Sequence, residues 1–354
     1  MSDLSRVPRD RISILIDTAI NRVLSGGDLS AEESERCLDE ILGGAVSSHS
    51  VESLLRALIE KEESVSEILG FARAMRKHMI PARLDLSGTK RLFDCCGTGG
   101  VRVPRFNVST CVAFILASAG IDVAKHGNVG SKKANGSFDF LDELGVSYQL
   151  DEYERREQFE KTHLTFLFAR EFHPAMRFVA PIRKKIERRS IFNLLGPLSN
   201  PAGVSHQIIG VRDLEAAKKL AQVVLELGTT RTLLVVGSNG MDELETCGDN
   251  HILDVCSAKL SSVVFNAENV FKKTDKVAAS IGSASANATL FRDILRTPQS
   301  YQYHPVFQQC CLNAGAAFYC VGQEDSIENG VAVAREQFLS GGVSKFFTRF
   351  YGLL

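Results

Sequence analysis

Two glycine-containing segments have the residue types of a phosphate-binding site. The first is DCCGTGG at residues 94–100 and the second is KHGN at residues 125–128, and each follows an apolar run and precedes a helix-like segment. Glycine lets the backbone bring its N–H groups close to an anion, and a helix that starts just beyond adds the positive end of its dipole. One such turn is weak evidence on its own. The side chains around the pair carry the prediction of an anion site.

Hydroxyl and amide side chains stand at the start of the helix predicted after the first segment. In FNVST at residues 106–110, Asn107, Ser109 and Thr110 lie at the helix entry. Ser and Thr at such positions often only cap the helix. Two hydroxyls and Asn107, one helix entry after a GTGG turn, shift the balance toward a role in binding phosphate oxygens.

Two adjacent carboxylates, Asp242 and Glu243, follow a predicted strand in a loop that begins GSNGM at residue 237. A solvated acidic pair is common. Beside a polyphosphate site, however, carboxylates without His or thiolate partners suit Mg²⁺, which is usually held by a few protein oxygens and the substrate's own phosphates. The pair is therefore a candidate magnesium site.

We predict that HPAMR at residues 173–177 and Arg183 lie on one basic helix with Lys184, Lys185, Arg188 and Arg189. A basic helix face is usually only solvated. An arginine aimed into a cleft, such as Arg183, could instead hold a substrate carboxylate through two hydrogen bonds.

The elements that must position these residues fall into two parts. Apolar residues between about 9 and 79 recur at helical spacing, which predicts four short helices and no strands, with capping-box spacing of Ser30 with Glu33 and Ser64 with Glu67. After Pro81, strand–helix alternation is typical of an α/β domain with a central, largely parallel sheet, whose ligands bind at the carboxyl ends of the strands. We predict strands at 92–96, 121–124, 164–168, 207–211 and 232–236, and helices at 109–119, 137–144, 214–227 and 327–339.

Composition limits the classes of function. The chain has 354 residues and a net charge of -1, so no global field favours nucleic acid or a membrane. The sequence contains no apolar run of membrane-spanning length and begins polar and charged, unlike a signal peptide. Nine cysteines without a C-x-x-C spacing are typical of reduced thiols. We therefore expect a cytoplasmic protein.

The ordered motifs resemble the anthranilate phosphoribosyltransferase family over nearly the whole chain. They are GTGG, FNxST, KHGN, GSxDxLxxLGV at 136–146, HPAMR, IFNLLGPLSNPA at 191–202 and GMDE at 240–243. The resemblance implies a small helical domain at 1–80 joined to a larger α/β domain at 81–354 of the nucleoside phosphorylase and phosphoribosyltransferase type. Part of 173–196 would complete the helical domain, through which the resemblance implies a homodimer. The resemblance also implies that Mg²⁺, phosphoribosyl pyrophosphate and anthranilate bind in a cleft at the hinge between the domains.

The resemblance also assigns contacts residue by residue. Mg²⁺ would be held by Ser109, Asp242 and Glu243, and anthranilate would be contacted by Gly97, Asn128 and Arg183. The donor would be bound by Gly97, Gly100, Val101, Arg105, Asn107, Val108, Ser109, Thr110, Lys125, Asn128, Lys133 and Ser137.

The implied reaction belongs to tryptophan biosynthesis. The neutral aromatic amine of anthranilate attacks the anomeric carbon of the donor as diphosphate leaves, and the cleft aligns the two reactants. This chemistry needs no strong general base and none is assigned, although His126 and His173 are close enough in the motif pattern to be tested.

Departures from the family pattern concentrate in the donor-binding loops. Val101 stands where the family usually has Asp, Val129 where it has Arg and Arg105 where Thr is common, while KKA replaces SSK at 132–134. Either the positive charge has been relocated around the same diphosphate, or the site has drifted toward another ligand or toward inactivity.

Three functions follow from these alternatives. An active anthranilate phosphoribosyltransferase is favoured, because the residues expected to bind the metal and the acceptor are intact. The others are a phosphoribosyltransferase of the same fold for another aromatic amine, and a non-catalytic relative that binds polyanions or nucleic acid through Arg102, Arg105, Lys132 and Lys133. Nucleic acid is the less expected partner, and steeply salt-dependent binding would mark it. The KHGN and HPAMR motifs disfavour a nucleoside phosphorylase.

Overall fold

The computed structural model describes residues 9–89, 91–99, 105–130, 135–271 and 282–352. Three short 3₁₀ helices lie at Pro174–Phe178, Ser238–Gly240 and Ala267–Asn269. The α-helices are α1 (Arg9–Leu24), α2 (Ala31–Leu42), α3 (Ser48–Lys61), α4 (Val65–His78), α5 (Val108–Ser118), α6 (Ser137–Leu144), α7 (Glu152–Thr162), α8 (Ala169–Phe172), α9 (Ala180–Ile186), α10 (Phe192–Leu198), α11 (Leu214–Leu227), α12 (Ala284–Arg296), α13 (Pro298–Tyr301), α14 (Pro305–Cys320), α15 (Ile327–Leu339) and α16 (Gly342–Tyr351). The strands are β1 (Phe93–Gly97), β2 (Val123–Gly127), β3 (Leu164–Phe168), β4 (His206–Gly210), β5 (Arg231–Val236), β6 (Asp249–Cys256) and β7 (Lys259–Asn266).

The first four helices form a bundle, which confirms the helical prediction for this part of the chain. Both predicted capping boxes are present, with Ser30 and Glu33 starting α2 and Ser64 and Glu67 starting α4. Each cap satisfies backbone N–H groups that the helix leaves open, at about 1 kcal/mol per capping side chain. The apolar core of the bundle continues into α9 and α10, so these later helices complete it.

A seven-stranded sheet forms the second part of the molecule, in the order β3-β2-β1-β4-β5-β6-β7. The first five strands in this order are parallel, and β6 and β7 are antiparallel. The predicted, largely parallel sheet is confirmed, whereas the β6–β7 hairpin was not predicted. Because the chain leaves β1 toward β2 and returns on its other side as β4, the strand order reverses between β1 and β4, and such a reversal opens a crevice at the carboxyl ends of the strands.

Helix α5 lies in the middle of the larger core and is apolar on nearly every side. Its Phe114 ring lies 5.5 Å from Phe166, 5.8 Å from Phe291 and 5.5 Å from Phe347, measured between ring centroids. Burying each such ring stabilises the fold by about 2–3 kcal/mol. The packing therefore fixes the N-terminal end of α5 beside the carboxyl end of β1.

Predicted boundaries agree with the structure for α6, α11, α15 and β3, and two other predictions need correction. The strand expected at 121–124 is β2, and its parallel pairing with β3 continues to Gly127, so Lys125 and His126 belong to the strand rather than to a turn. The basic stretch at 173–189 is not one helix. The separate helix α9 starts at Ala180 with Pro181 in its first turn, and Glu187, with φ of 55°, ends it before residues 188–189.

Within the described residues, no helix has the length and apolarity to cross a membrane.

Candidate active site

A small cleft with about 20 Å³ of free space lies at the carboxyl ends of β1 and β4, where the segment carrying Asp242 and Glu243 crosses the strands. Glycine makes this crossing possible at three points. A side chain at Gly97 would overlap the Asp242 carboxylate, one at Gly210 would overlap the Asp242 backbone, and one at Gly237 would overlap the Glu243 backbone. The cleft is lined by Cys95, Cys96, Gly97, Ser109, Val112, Ile208, Gly210, Val235, Asp242, Glu243 and Asn313.

The first glycine loop is fastened to its surroundings through its backbone. The Thr98 N–H donates to the Gly210 carbonyl over 2.8 Å, and the Gly99 N–H donates to the Asp242 carboxylate over 3.2 Å. From the opposite side, the Arg189 guanidinium donates to the Gly99 carbonyl and, over 3.4 Å, to the Thr98 carbonyl. The described part of this loop is thus held by both parts of the molecule.

Helix α5 begins at the cleft, and the N–H groups of Thr110 and Cys111 in its first turn both donate to the Asn107 carbonyl. Asn107 stands at its N-cap without a side-chain capping bond. The Thr110 hydroxyl is buried and has no partner among the described residues. Ser109 lines the cleft and its backbone N–H donates to the Glu243 carboxylate, whereas the Val108 side chain is buried in the core, so only its backbone can reach a ligand.

The two carboxylates differ in their surroundings. The Asp242 side chain is fully buried and forms an ion pair with Arg105, in which each η nitrogen of the guanidinium contacts a different carboxylate oxygen. Burial raises the pKa of Glu243, and Arg105 and the Ser109 N–H act in the opposite direction.

The carboxylates of Asp242 and Glu243 and the Ser109 hydroxyl are oxygen ligands of the kind that a hard cation prefers. Within the described residues, no group of three or more His, Cys, Asp or Glu side chains converges as a self-sufficient metal site. Two carboxylates and a nearby hydroxyl suit Mg²⁺ when substrate phosphates supply the remaining ligands. Asp242, Glu243 and Ser109 could therefore hold a cation only together with oxygens from a bound phosphate, and Asp242 is already paired to Arg105.

The second glycine segment ends in a loop that the start of α6 closes. The Asp139 carboxylate accepts from the backbone N–H groups of Gly130 and Gly136, each over 2.7 Å. The Ser137 hydroxyl donates to the Asn128 carbonyl over 3.3 Å. Lys125, by contrast, is 2% exposed and its ammonium donates to the Cys95 carbonyl over 2.7 Å, beneath the first loop.

Two buried histidines face each other near the bundle. The rings of His126 and His173 lie 5.1 Å apart. Burial lowers the pKa of His126 to about 3, with a further contribution from His173, and burial lowers the pKa of His173 to about 4. Both are therefore neutral at pH 7 and poor proton acceptors.

Arg183 lies 5.4 Å from the Phe192 ring centroid, and burial lowers its pKa.

The predicted site residues are thus brought together only in part. Gly97, Ser109, Asp242 and Glu243 line one cleft, and Arg105 contacts it through Asp242. Asn128, Lys125 and Arg183 do not line that cleft, and their ligand contacts stay predictions. Gly100, Val101 and Lys133 lie outside the described residues, as do Arg102, Lys132 and Ala134.

Two residues that hydrogen-bond to these loops, Asn287 and Arg189, were not predicted as site residues. The Asn287 amide nitrogen lies 3.0 Å from the Arg105 carbonyl, 2.8 Å from the Asn107 side-chain oxygen and 3.1 Å from that of Asn135. Arg189 was assigned only to a basic helix face. No local pattern distinguishes Asn287, because its partners come from 152 to 182 positions earlier in the chain.

Two family models match this architecture. The glycosyl transferase family helical bundle domain matches residues 17–79, and the glycosyl transferase family a/b domain matches residues 89–343. The fold and the cleft thus have the organisation of a glycosyl transferase in which a helical bundle accompanies an α/β domain.

Individual relatives narrow the class. The anthranilate phosphoribosyltransferase of Shouchella clausii is 38% identical over 330 residues, which are 92% of this chain and 94% of the relative. That of Methanosarcina mazei is 38% identical over 94% of this chain and 88% of its own length. The crystal structure of the Thermus thermophilus enzyme superposes with a TM-score of 0.84 at 35% identity, covering 94% of this chain and 98% of that one. This chain belongs to the anthranilate phosphoribosyltransferase family.

A Saccharomyces cerevisiae anthranilate phosphoribosyltransferase, solved in complex with PRPP and Mg, shares the fold with a TM-score of 0.82 at 23% identity, over 96% of this chain and 97% of that one.

Proposed function

We propose that this protein transfers the phosphoribosyl group of 5-phosphoribosyl 1-diphosphate to the amine of anthranilate, in tryptophan biosynthesis. The observation that carries the proposal is the cleft in which Gly97, Ser109, Asp242 and Glu243 meet at the carboxyl end of β1. The proposal is supported by similarity, over more than nine-tenths of the chain, to proteins named anthranilate phosphoribosyltransferase.

The phosphates of the donor bind at the edge of this cleft, beside the start of α5. The N-terminal end of this 11-residue helix carries the positive end of its dipole, and the unpartnered Thr110 hydroxyl is a hydrogen-bond donor for an anionic oxygen. Glu243, Asp242 and Ser109 would hold Mg²⁺ together with the donor's phosphates, and the bound ion would stabilise the charge that develops on the departing diphosphate. The related yeast enzyme, whose structure contains PRPP and Mg, is consistent with this pairing of ligands.

The transfer itself requires alignment more than proton abstraction. The amine nitrogen forms a bond to the anomeric carbon, the bond from that carbon to the diphosphate oxygen breaks with its electron pair leaving on diphosphate, and one proton passes from nitrogen to solvent. The chain holds the first loop through Asp242 and Arg189, which fixes the position of one wall of the site. The low pKa values of His126 and His173 support a mechanism without a strong general base.

Anthranilate binds between the two parts of the molecule, with its carboxylate on Arg183 and its ring near Gly97 and Asn128. The half-buried guanidinium of Arg183 supports this assignment, because little water competes for its hydrogen bonds.

The protein functions as a cytoplasmic homodimer in this proposal. Ile14 and Leu24 of α1 are 65% and 68% exposed, so the bundle presents large apolar side chains to a second copy. All nine cysteines are free, which fits a reducing compartment. Light scattering on the purified protein gives the mass that tests the dimer.

The decisive test follows the loss of anthranilate fluorescence with the donor and Mg²⁺ present. We expect consumption that needs all three components. Calorimetry with the donor and Mg²⁺ is run in parallel. Donor uptake without anthranilate consumption would favour another aromatic amine as acceptor, and absence of both would contradict the proposed function.

A further inference from the structure

Arg105 occupies a position that the family pattern commonly gives to threonine, and its guanidinium is turned inward. Both η nitrogens contact the Asp242 carboxylate, one of them over 3.3 Å. The Asp242 side chain is fully buried, while the Arg105 side chain retains 29% of its exposure. The arginine is therefore the more exposed member of the pair and shields the carboxylate.

The backbone of Arg105 is fixed in this position by two other parts of the chain. Its carbonyl accepts from the Asn135 amide over 2.9 Å and from the Asn287 amide over 3.0 Å. Asn287 also contacts the side chain of Asn107 at the start of α5. The backbone of Arg105 is thus held by a network that joins both loops to α12, and this places its side chain within reach of Asp242.

A buried carboxylate needs a compensating cation or several hydrogen-bond donors. Asp242 has both, because the Gly99 N–H occupies one oxygen at 3.2 Å and Arg105 contacts both. A divalent cation that approaches Asp242 must displace the guanidinium or share the carboxylate with it. Glu243, next along the chain, carries no such bidentate arginine among the described residues.

We propose that Arg105 is the resident cation of Asp242, and that it lowers the affinity of this carboxylate for a free divalent ion. The metal then depends on Glu243 and on the phosphates of the donor, and the positive charge of Arg105 stays beside the diphosphate. The inference rests on the proposed function only in taking Asp242 as a metal-binding residue. It makes the arginine a determinant of metal affinity in this chain.

Binding of Mn²⁺ alone, followed by electron paramagnetic resonance and calorimetry without any substrate, tests the proposal. We expect Arg105→Thr to bind Mn²⁺ about tenfold or more tightly than the wild type, since removing a unit charge at contact distance changes the binding of another charge by at least that factor. Adding Asp242→Asn to this variant should abolish the gain. A smaller gain, or one that survives Asp242→Asn, overturns the proposal.

Two further variants control for charge and for folding. Arg105→Lys keeps the charge and should bind Mn²⁺ as weakly as the wild type, whereas Arg105→Gln removes the charge with a side chain of similar length and serves if the threonine variant does not fold. Arg231→Thr is the matched control, because Arg231 forms a comparable bidentate pair with Asp254 away from the cleft. It should leave Mn²⁺ affinity unchanged, and an equal gain there would overturn the assignment to Asp242. Failure of transfer in the fluorescence assay leaves these binding results interpretable, because they involve neither substrate.

Discussion

Arg189 should determine how tightly the donor binds, although it lies outside the motifs that contact the donor. Its guanidinium donates to the carbonyls of Gly99 and Thr98 and so connects the segment between α9 and α10 to the first loop. Arg189→Ala removes both bonds. The loop must then be ordered by the donor itself, and the cost of ordering is subtracted from the binding free energy.

The expected size of the effect follows from the kind of bond. A hydrogen bond to a charged group contributes about 1.5–3 kcal/mol, and water replaces part of it, so we expect a loss of about 2 kcal/mol and a donor affinity lower by about 30-fold. Donor affinity is measured by calorimetry with Mg²⁺ present. Hydrogen exchange at the Thr98 and Gly99 amides should become faster in the variant, while anthranilate KM changes little.

The neighbouring arginine provides a matched control. Arg188 pairs with Glu60, and their side chains are 55% and 68% exposed, so the pair is screened by water and contributes about 0–1 kcal/mol. Arg188→Ala should leave donor affinity unchanged. If Arg189→Ala also leaves affinity and exchange at wild-type values, the loop does not depend on the guanidinium and the reasoning is refuted.

Three other outcomes follow from the site. Replacing Asp242 with Asn and Glu243 with Gln should lower Mg²⁺-dependent turnover by at least about a thousandfold, because several kcal/mol of charge stabilisation are lost, and circular dichroism should show an unchanged fold. Arg183→Ala should raise the KM for anthranilate by about tenfold or more with a much smaller effect on the donor, as expected for a lost carboxylate clamp. Burial lowers the pKa of His126 to about 3, so the unfolded chain binds more protons between that pH and about 6.5, and stability rises with pH in this window. When the pH is lowered from about 7 to about 5, the free energy of unfolding measured by urea denaturation should therefore fall by about 2 kcal/mol more in the wild type than in His126→Gln.

Each of these predictions has its own contradicting result. Undiminished turnover in the carboxylate double variant would remove both residues from the mechanism. Lys184→Ala, at an exposed position beside Arg183, is the control for the acceptor site, and equal effects of Arg183→Ala on both substrates would count against a carboxylate clamp. Identical pH dependence in the wild type and the His126 variant would mean that the folded protein protonates this ring as easily as the unfolded chain does.

The sequence was sufficient for the local features of the fold. Helical periodicity and two capping boxes identified the bundle, because both signals depend on residues only three or four positions apart. The alternation of strands and helices likewise indicated the parallel sheet and the edge at which its ligands bind. Strand β7 gave no such signal, since its first six residues are all exposed and a period of two appears only where one face of a strand is buried.

The non-local features of the candidate site could not be predicted. The sequence showed that Arg105 departs from the family pattern, but its partner lies 137 positions away, and nothing local indicates that the side chain turns inward. For the same reason it appeared as a possible contact for polyanions, whereas the structure commits its guanidinium to Asp242. Lys125 is a similar case, because a lysine after a strand suggests a free cation and the fold buries it against the Cys95 carbonyl.

The pairing of β1 with β4 also has a consequence for how the protein is made. Phe93 pairs with His206, more than a hundred residues later in the chain, and this pairing closes the centre of the sheet. During synthesis β1, β2 and β3 leave the ribosome first, so β1 carries an unpaired edge until residues 206–210 emerge. Such delayed pairing slows folding and leaves an aggregation-prone intermediate with an unpaired strand edge. Nascent chains of this protein should therefore need chaperone protection over that interval, and the cleft should be the last region to mature.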